Sequence, residues 1–185
     1  MENFIGLYHQ AMSGDECDKI IEYFESHPGL HHNGQIMDLA VETCNREIKD
    51  STDIRMDISS PCDTNESVIL ALRLGIQKYK EQFPILNEGN CWDVCKNYNL
   101  QRYYPGQGFH HPHYEYHPSN TNMLAWMVYL NDVNDGGETR FEYYDYNLKP
   151  EKGLLVIWPA YFTHLHYGLP STETKYIATG WHHFV

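Results

Sequence analysis

Positive charge is scarce in this sequence. Thirteen Lys and Arg stand against 25 Asp and Glu, a formal net charge of −12 with His neutral. Phosphate contact runs on positive charge, so this balance argues against a general nucleic-acid binder or a protein of anionic membranes. Paired cysteines are missing too. The five cysteines, Cys17, Cys44, Cys62, Cys91 and Cys95, are odd in number and include no CxxC. That excludes the usual zinc-knuckle and dithiol redox patterns and suits reduced thiols in a cytosolic protein. Residues 1–10 have no basic segment followed by an apolar run, so no signal peptide is expected, and no stretch has the length of a membrane span. A cytoplasmic location follows as an expectation, and the compact size would suit a bacterial or viral protein. Internal repeats, low-complexity tracts and linkers are also lacking. With 185 residues, one domain is the simplest reading.

What is abundant is aromatic and imidazole. Fifteen Tyr, seven Phe and four Trp suit sheets, and most of the 12 His crowd into two places. Residues 1–90 read as mainly helical support and residues 91–185 as mainly strands. Ser13 and Glu16 form a capping box, followed by Cys17, Ile20, Ile21 and Phe24 on one helix face. His27-Pro28-Gly29 ends that helix. A strand is possible near Leu39–Cys44. Asp53–Ser59 alternates Ile54, Met56 and Ile58 against Asp53, Arg55 and Asp57, a half-buried strand. Asn65 is a candidate cap for a second helix with Ile69, Leu72, Ile76, Tyr79 and Phe83 inward, closed by Pro84.

Beyond residue 92, β-type runs read as Val94–Tyr104, Gly108–Tyr116, Leu124–Asn131, Thr139–Tyr146, Leu154–Trp158, His164–Leu169 and Lys175–Val185. Turns such as Pro105-Gly106, Pro118-Ser119-Asn120 and Gly136-Gly137 separate them. Many short strands at this spacing point to a sandwich or jelly roll, and helices packed on it make the domain α+β.

The first histidine cluster is His110-His111-Pro112-His113-Tyr114-Glu115-Tyr116-His117. On a strand, His113 and Glu115 share a face. They supply two thirds of a 2-His-1-carboxylate triad, the set that holds iron(II) and leaves coordination positions open. An H-x-E alone is equally a polar surface strand. The second cluster, His164-Leu165-His166, again places two imidazoles on one face, and periodicity does not separate them. Lys175 follows downstream. A buried cation there would suit the far carboxylate of a metal-bound dicarboxylate, although alone it reads as a solvated strand-end lysine.

The order of short motifs carries more than any one of them. Tyr103-Tyr104-Pro105-Gly106-Gln107-Gly108-Phe109 precedes His113-x-Glu115. Tyr129-Leu130-Asn131, Gly136-Gly137-Glu138-Thr139-x-Phe141, Pro150-x-x-Gly153, His166, Lys175-Tyr176 and Trp181 come after it. From about Leu100 to Val185 this series resembles the iron(II)/2-oxoglutarate-dependent oxygenases, in the prolyl 4-hydroxylase-like branch. The resemblance implies a double-stranded β-helix, a jelly roll with N-terminal buttressing helices. It implies His113, Glu115 and His166 as metal ligands, where the branch usually has Asp in place of Glu115. The offsets to Pro170 and Lys175 fit the pattern with His166 rather than His164. Lys175 would bind the distal carboxylate of 2-oxoglutarate, with Tyr129, and Tyr103 or Tyr104, adding hydroxyls and Trp181 lining the pocket. The Gly136–Thr139 turn receives no catalytic role.

The implied activity is a dioxygenase that uses Fe(II), 2-oxoglutarate and O2, with ascorbate as reductant. It would hydroxylate a substrate C–H, first of all a peptidyl prolyl residue, with release of succinate and CO2. A peptide, protein or small-molecule substrate is expected, and neither nucleic acid nor membrane. Tyr114, Tyr116, Trp126, Tyr143, Tyr144 and Tyr146 offer aromatic surface for an extended peptide, or simply pack. Two rivals share the fold: a cupin-like metalloenzyme without 2-oxoglutarate, and a non-catalytic jelly-roll binding module. Lys175 at its offset from His166 favours the oxygenase.

Overall fold

The computed structural model describes residues 2–38, 41–88, 91–116 and 120–185. His117, the Pro118-Ser119 part of the expected turn, and Leu39 and Ala40 of the expected 39–44 strand lie outside the described residues. The N-terminal part holds β1 (Gly6–Tyr8), α1 (Gly14–Ser26), β2 (His32–Asn33), β3 (Ile36–Asp38), β4 (Val41–Thr43), β5 (Thr52–Asp57) and α2 (Asp63–Gln82). It is therefore more mixed than the mainly helical expectation for residues 1–90. The later strands are β6 (Trp92–Val94), β7 (Asn97–Tyr103), β8 (Phe109–His113), β9 (Asn122–Tyr129), β10 (Thr139–Phe141), β11 (Tyr146–Leu148), β12 (Leu155–Pro159), β13 (His166–Gly168) and β14 (Lys175–Phe184).

Strands pair antiparallel throughout the described residues. The large sheet runs β1-β12-β9-β14-β7-β5-β2, with β6 also paired to β14. A small sheet runs β11-β10-β13-β8, and β3 and β4 form a separate hairpin. Because successive side chains on a strand alternate faces, the large sheet builds two cores. Ile54, Leu100, Trp126, Val128, Leu155, Ile157 and Ala178 meet Ile20 and Phe24 of α1 and Val68 and Leu72 of α2. From the opposite face, Tyr103, Met127, Tyr129, Val156, Trp158 and Ile177 meet Phe141 and Leu148 of the small sheet. β9 is buried along its whole length because it is covered on both faces.

Local signals explain the helices. Ser13 Oγ accepts from the Glu16 N–H, and the Glu16 carboxylate accepts from the Ser13 N–H at 2.8 Å, completing the capping box. The second helix starts earlier than Asn65 predicts, with Cys62 as N-cap. Asn65 is buried inside the first turn, and its side chain serves the tertiary structure. Its Nδ2 donates to the carbonyls of Asp57 and Ser60, and its Oδ1 accepts from the Tyr98 hydroxyl at 2.8 Å. Arg102 of β7 grips Glu25 of α1 with two hydrogen bonds of 2.7 and 2.9 Å, and Tyr176 of β14 donates to the same carboxylate. All five cysteines are free. Among the described residues no helix is long and apolar enough to cross a membrane.

The α2–sheet contact depends on one absent side chain. A Cβ on Gly75 would lie 2.2 Å from Leu155 Cδ2, and Leu155 is fully buried. Gly75→Ala gains up to about 1 kcal/mol of helix propensity, whereas overpacking costs about 1–3 kcal/mol. We expect a net loss of about 1 kcal/mol, read as a lower urea midpoint with an unchanged slope.

Candidate active site

The site begins with a strand pairing. His166, the first residue of β13, lies directly opposite His113, the last residue of β8. Opposed residues on one face hold their side chains together, and the two imidazole centroids are 4.4 Å apart. The register shifts between this pair and the next, Gly168 with Phe109. Two steps on β13 thus match four on β8, across Pro112, which has no N–H to give a ladder. Phe109 stacks on the His113 ring at 3.7 Å, and Trp158 meets His166 edge-on at 5.1 Å.

Glu115 lies past the end of β8. Its N–H donates to the Ala160 carbonyl at 2.9 Å, and its own carbonyl accepts from Asn122 Nδ2 at 3.1 Å. So held, its Oε1 lies 3.5 Å from His113 Nε2 and 3.3 Å from His166 Nε2. All three ligand atoms fall within 4.8 Å of one another. The other carboxylate oxygen, Oε2, accepts from the Trp181 indole N–H at 2.9 Å. Trp181, implied by the resemblance as pocket lining, thus orients the carboxylate and leaves one oxygen for the cluster.

Proton positions follow from the partners. His113 Nδ1 lies 3.0 Å from the His111 carbonyl, and His166 Nδ1 lies 2.8 Å from the His164 carbonyl. A carbonyl only accepts, so each Nδ1 carries a proton and each ring turns its Nε2 on Glu115 and its neighbour, the atom whose lone pair a metal would take. Burial, and then the adjacent His166, lower the His113 pKa. Burial by itself would raise the Glu115 pKa, but the hydrogen bonds and charges of His113 and His166 outweigh it, so the carboxyl is held ionised. Two imidazole nitrogens and one carboxylate oxygen converging from one side fit a divalent iron, with further positions left for exogenous ligands.

His164 is placed elsewhere. Its Nε2 lies 2.8 Å from the Asn3 carbonyl and its Nδ1 2.9 Å from Thr163 Oγ1. Residues 162–164 form a 3-10 turn, and β13 starts at His166. The two-residue strand period that tied His164 to His166 therefore does not apply.

Lys175 is 4% exposed. Its Nζ donates to the Gly137 carbonyl at 2.9 Å and sits 5.0 Å from the centre of the Tyr103 ring. A Cβ on Gly168 would lie 3.7 Å from Nζ, so the ammonium borders β13 two residues along from His166. Among the described residues no carboxylate pairs with Lys175. Burial lowers its pKa to about 8, against a smaller upward pull from Glu138. The Gly136-Gly137 turn therefore has a role beyond spacing two strands: both glycines have positive φ, and the turn aims a carbonyl at the lysine. Tyr129, fully buried, shares a 2.7 Å hydrogen bond with Thr139 Oγ1. Of the two adjacent tyrosines, Tyr103 is buried and faces the space between the sheets, while Tyr104 is exposed under the Arg102 guanidinium. Trp126 packs in the helix-facing core and offers no aromatic surface. Tyr114 and Tyr116, on either side of Glu115 in the chain, are exposed, with Tyr116 stacked on Tyr161 at 5.1 Å, and Tyr143 and Phe162 are exposed as well. Tyr161 and Phe162 belong to no motif of the sequence, and no local pattern marks them.

Comparisons with known proteins bear on this site. Residues 98–183 match the model of the 2OG-Fe(II) oxygenase superfamily. A probable prolyl 4-hydroxylase 9 of Arabidopsis thaliana is 32% identical, over 46% of this chain and 40% of that protein. The chain thus spans about two fifths of that relative's length. Three solved structures share the fold. A prolyl hydroxylase of Trichoplax adhaerens, in complex with a hypoxia inducible factor peptide fragment, has a TM-score of 0.81 at 15% identity, covering 98% of this chain and 84% of that one. The viral collagen prolyl hydroxylase of Paramecium Bursaria Chlorella virus-1, in its 2OG complex, has 0.71 at 20%, covering 98% and 97%. A Pseudomonas putida prolyl-4-hydroxylase has 0.72 at 15%, covering 97% and 91%.

The geometry separates the two candidate histidines experimentally. His166→Gln is expected to weaken Co(II) binding more than about 100-fold, beyond the loss typical of outer hydrogen-bond partners, and His164→Gln by less than about tenfold. Titration followed by the visible cobalt absorption reads both. Equal losses would remove the distinction.

Proposed function

We propose that this chain, whose residues 98–183 match the 2OG-Fe(II) oxygenase superfamily, is a member of it, an iron(II)- and 2-oxoglutarate-dependent dioxygenase hydroxylating a peptidyl prolyl residue. The observation that carries the reading is one juxtaposition. A His113-Glu115-His166 cluster fit for iron stands near a buried Lys175 ammonium that has no carboxylate partner among the described residues. A metalloenzyme without 2-oxoglutarate would have no use for that buried cation, which is costly to keep unpaired. We read the facing sheets as the double-stranded β-helix of this superfamily and residues 1–185 as one domain. Both cores support that reading, since they join N-terminal residues such as Ile5, Ile20 and Ile54 to C-terminal strands.

When bound, iron(II) and 2-oxoglutarate supply the oxidising chemistry, in which O2 is consumed, 2-oxoglutarate becomes succinate and CO2, and a substrate C–H gains a hydroxyl. The chain's own residues hold and aim. His113, Glu115 and His166 hold the metal from one side, and their Nδ1–H and Trp181 bonds fix the donor atoms in place. Lys175 takes the distal carboxylate in a site shielded from water, where its charge acts strongly. Tyr129 borders the same interior. Phe109, Phe141 and Trp158 surround the imidazoles and keep water and oxidisable groups at a distance. Beside Glu115, exposed Tyr114 and the stacked pair Tyr116 and Tyr161 give flat aromatic faces of the kind that dock a proline-rich, extended peptide.

Two outcomes are expected. With iron(II), ascorbate and air, succinate is formed from 2-oxoglutarate, a proline-rich peptide raises the rate, and Lys175→Ala removes it. Iron-independent or Lys175-independent succinate would refute the reading. The second concerns pH. Below about pH 8 Lys175 in the ligand-free protein is charged, and above it the ammonium is lost. Affinity for 2-oxoglutarate, measured calorimetrically on Mn(II)-loaded protein, should fall as pH rises through about 8, up to about tenfold per unit. The same depressed pKa adds stability to the ligand-free fold as pH rises from about 8 toward the unfolded lysine value, so weaker binding there is not unfolding.

A further inference from the structure

Asp53 is the charged residue that the alternating pattern of β5 assigns to a solvent face, yet it is 2% exposed. It points between the sheets, opposite the helix-facing Ile54 and Met56. Its Oδ2 accepts from Lys49 Nζ at 2.7 Å and from Gln101 Nε2 at 3.2 Å, and its Oδ1 accepts from Ser51 Oγ at 2.7 Å. Lys49, Ser51 and Gln101 are each at most 5% exposed. A carboxylate only accepts, so the Gln101 amide must turn its NH2 to Asp53 and its oxygen away. That oxygen lies 2.7 Å from the Tyr103 hydroxyl, which must then be the donor. The direction of every hydrogen bond from Lys49 to Tyr103 is set by the one acid.

The consequence falls on the proposed cosubstrate pocket, and the inference rests on the oxygenase reading of that pocket. The Tyr103 ring lies beside the Lys175 ammonium. A carboxylate or keto oxygen of 2-oxoglutarate at Tyr103 would be a second acceptor for a proton already committed to Gln101. We propose that Asp53 and Gln101 are positioning residues that hold the Tyr103 proton away from the cosubstrate. 2-Oxoglutarate engages Tyr103 only by drawing that proton off Gln101, so the network holds cosubstrate affinity below what the pocket would otherwise give. Lys49 ties the same node to the rest of the site, with its Nζ 5.8 Å from the Phe109 ring that stacks on His113.

Two measurements test this. In ligand-free protein, the ultraviolet resonance Raman difference between wild type and Tyr103→Phe should carry the tyrosine doublet of a hydrogen-bond donor, and Gln101→Leu should abolish that donor signature. On Mn(II)-loaded protein, Gln101→Leu should tighten 2-oxoglutarate binding about three- to tenfold, the size of one neutral hydrogen bond, and should do nothing in a Tyr103→Phe background. Unchanged or weaker binding in Gln101→Leu, or no donor signature in wild type, overturns the inference. If Gln101→Leu does not fold by circular dichroism, the paired replacement Lys49→Met with Asp53→Leu frees the amide to turn. The same tightening is then expected, and its absence is equally decisive. Wild type that binds no 2-oxoglutarate overturns the proposed function itself, whereas binding that is insensitive to Gln101 overturns only this inference.

Discussion

The pairing of β8 with β13 is the constraint on which the site rests. It sets His113 opposite His166, and everything else at the cluster adapts to that pair. Glu115 reaches both rings only because the chain leaves β8 and is caught by the Ala160 carbonyl. The carbonyls of His111 and His164 complete the arrangement by holding the Nδ1 protons. Backbone geometry thus decides tautomer, and tautomer decides which nitrogens are free to bind a metal. Were the register to slip by one residue, every side chain of one strand would change face, and no local adjustment could restore the cluster.

A second feature is the polarity of the space between the sheets. The helix-facing core of the large sheet buries Asn65 against Tyr98 and Arg102 against Glu25 among its apolar side chains, whereas the opposite face carries Lys175, Gln101, Asp53, Tyr103 and Tyr129. Buried polar groups are costly unless partnered. Most have fixed partners within the chain: Asp53 has three donors, and Tyr129 has Thr139. Lys175 donates to one carbonyl, that of Gly137. A cation kept under-partnered in a dry interior is disposed to bind an anion, and this is why the lysine, rather than the histidines alone, separates the oxygenase reading from its rivals.

Local chemistry was legible wherever neighbours along the chain settle the matter. The capping box at Ser13, the stop before Pro84 and the strands β7, β8, β9, β12, β13 and β14 follow from side-chain periodicity and turn residues, while the single run expected over Thr139–Tyr146 divides into β10, a 3-10 turn and β11. The differences between pattern and structure share one cause. Asn65 has the residue type and place of a cap, but Tyr98, 33 positions away, and the carbonyls of Asp57 and Ser60 claim its side chain. Alternation sets Asp53 on a polar face, but that face is covered, and Gln101, 48 positions along the chain, reaches its carboxylate. Strand period also sets His164 beside His166, which a single 3-10 turn undoes.

The composition of the site is written in the order of its residues: two histidines, a glutamate, a distant lysine and the tyrosines around them, in a series that resembles one family. The elements are legible in the same way, because helix and strand periodicity are properties of consecutive residues. Which histidine joins the cluster, which tyrosine faces inward, and that Trp181 and Gly137 serve Glu115 and Lys175, were left to the folded chain. Those choices rest on pairings between strands far apart in the sequence. A hydrogen bond needs its partners within about 3 Å, and spacing along a sequence carries no information at that scale.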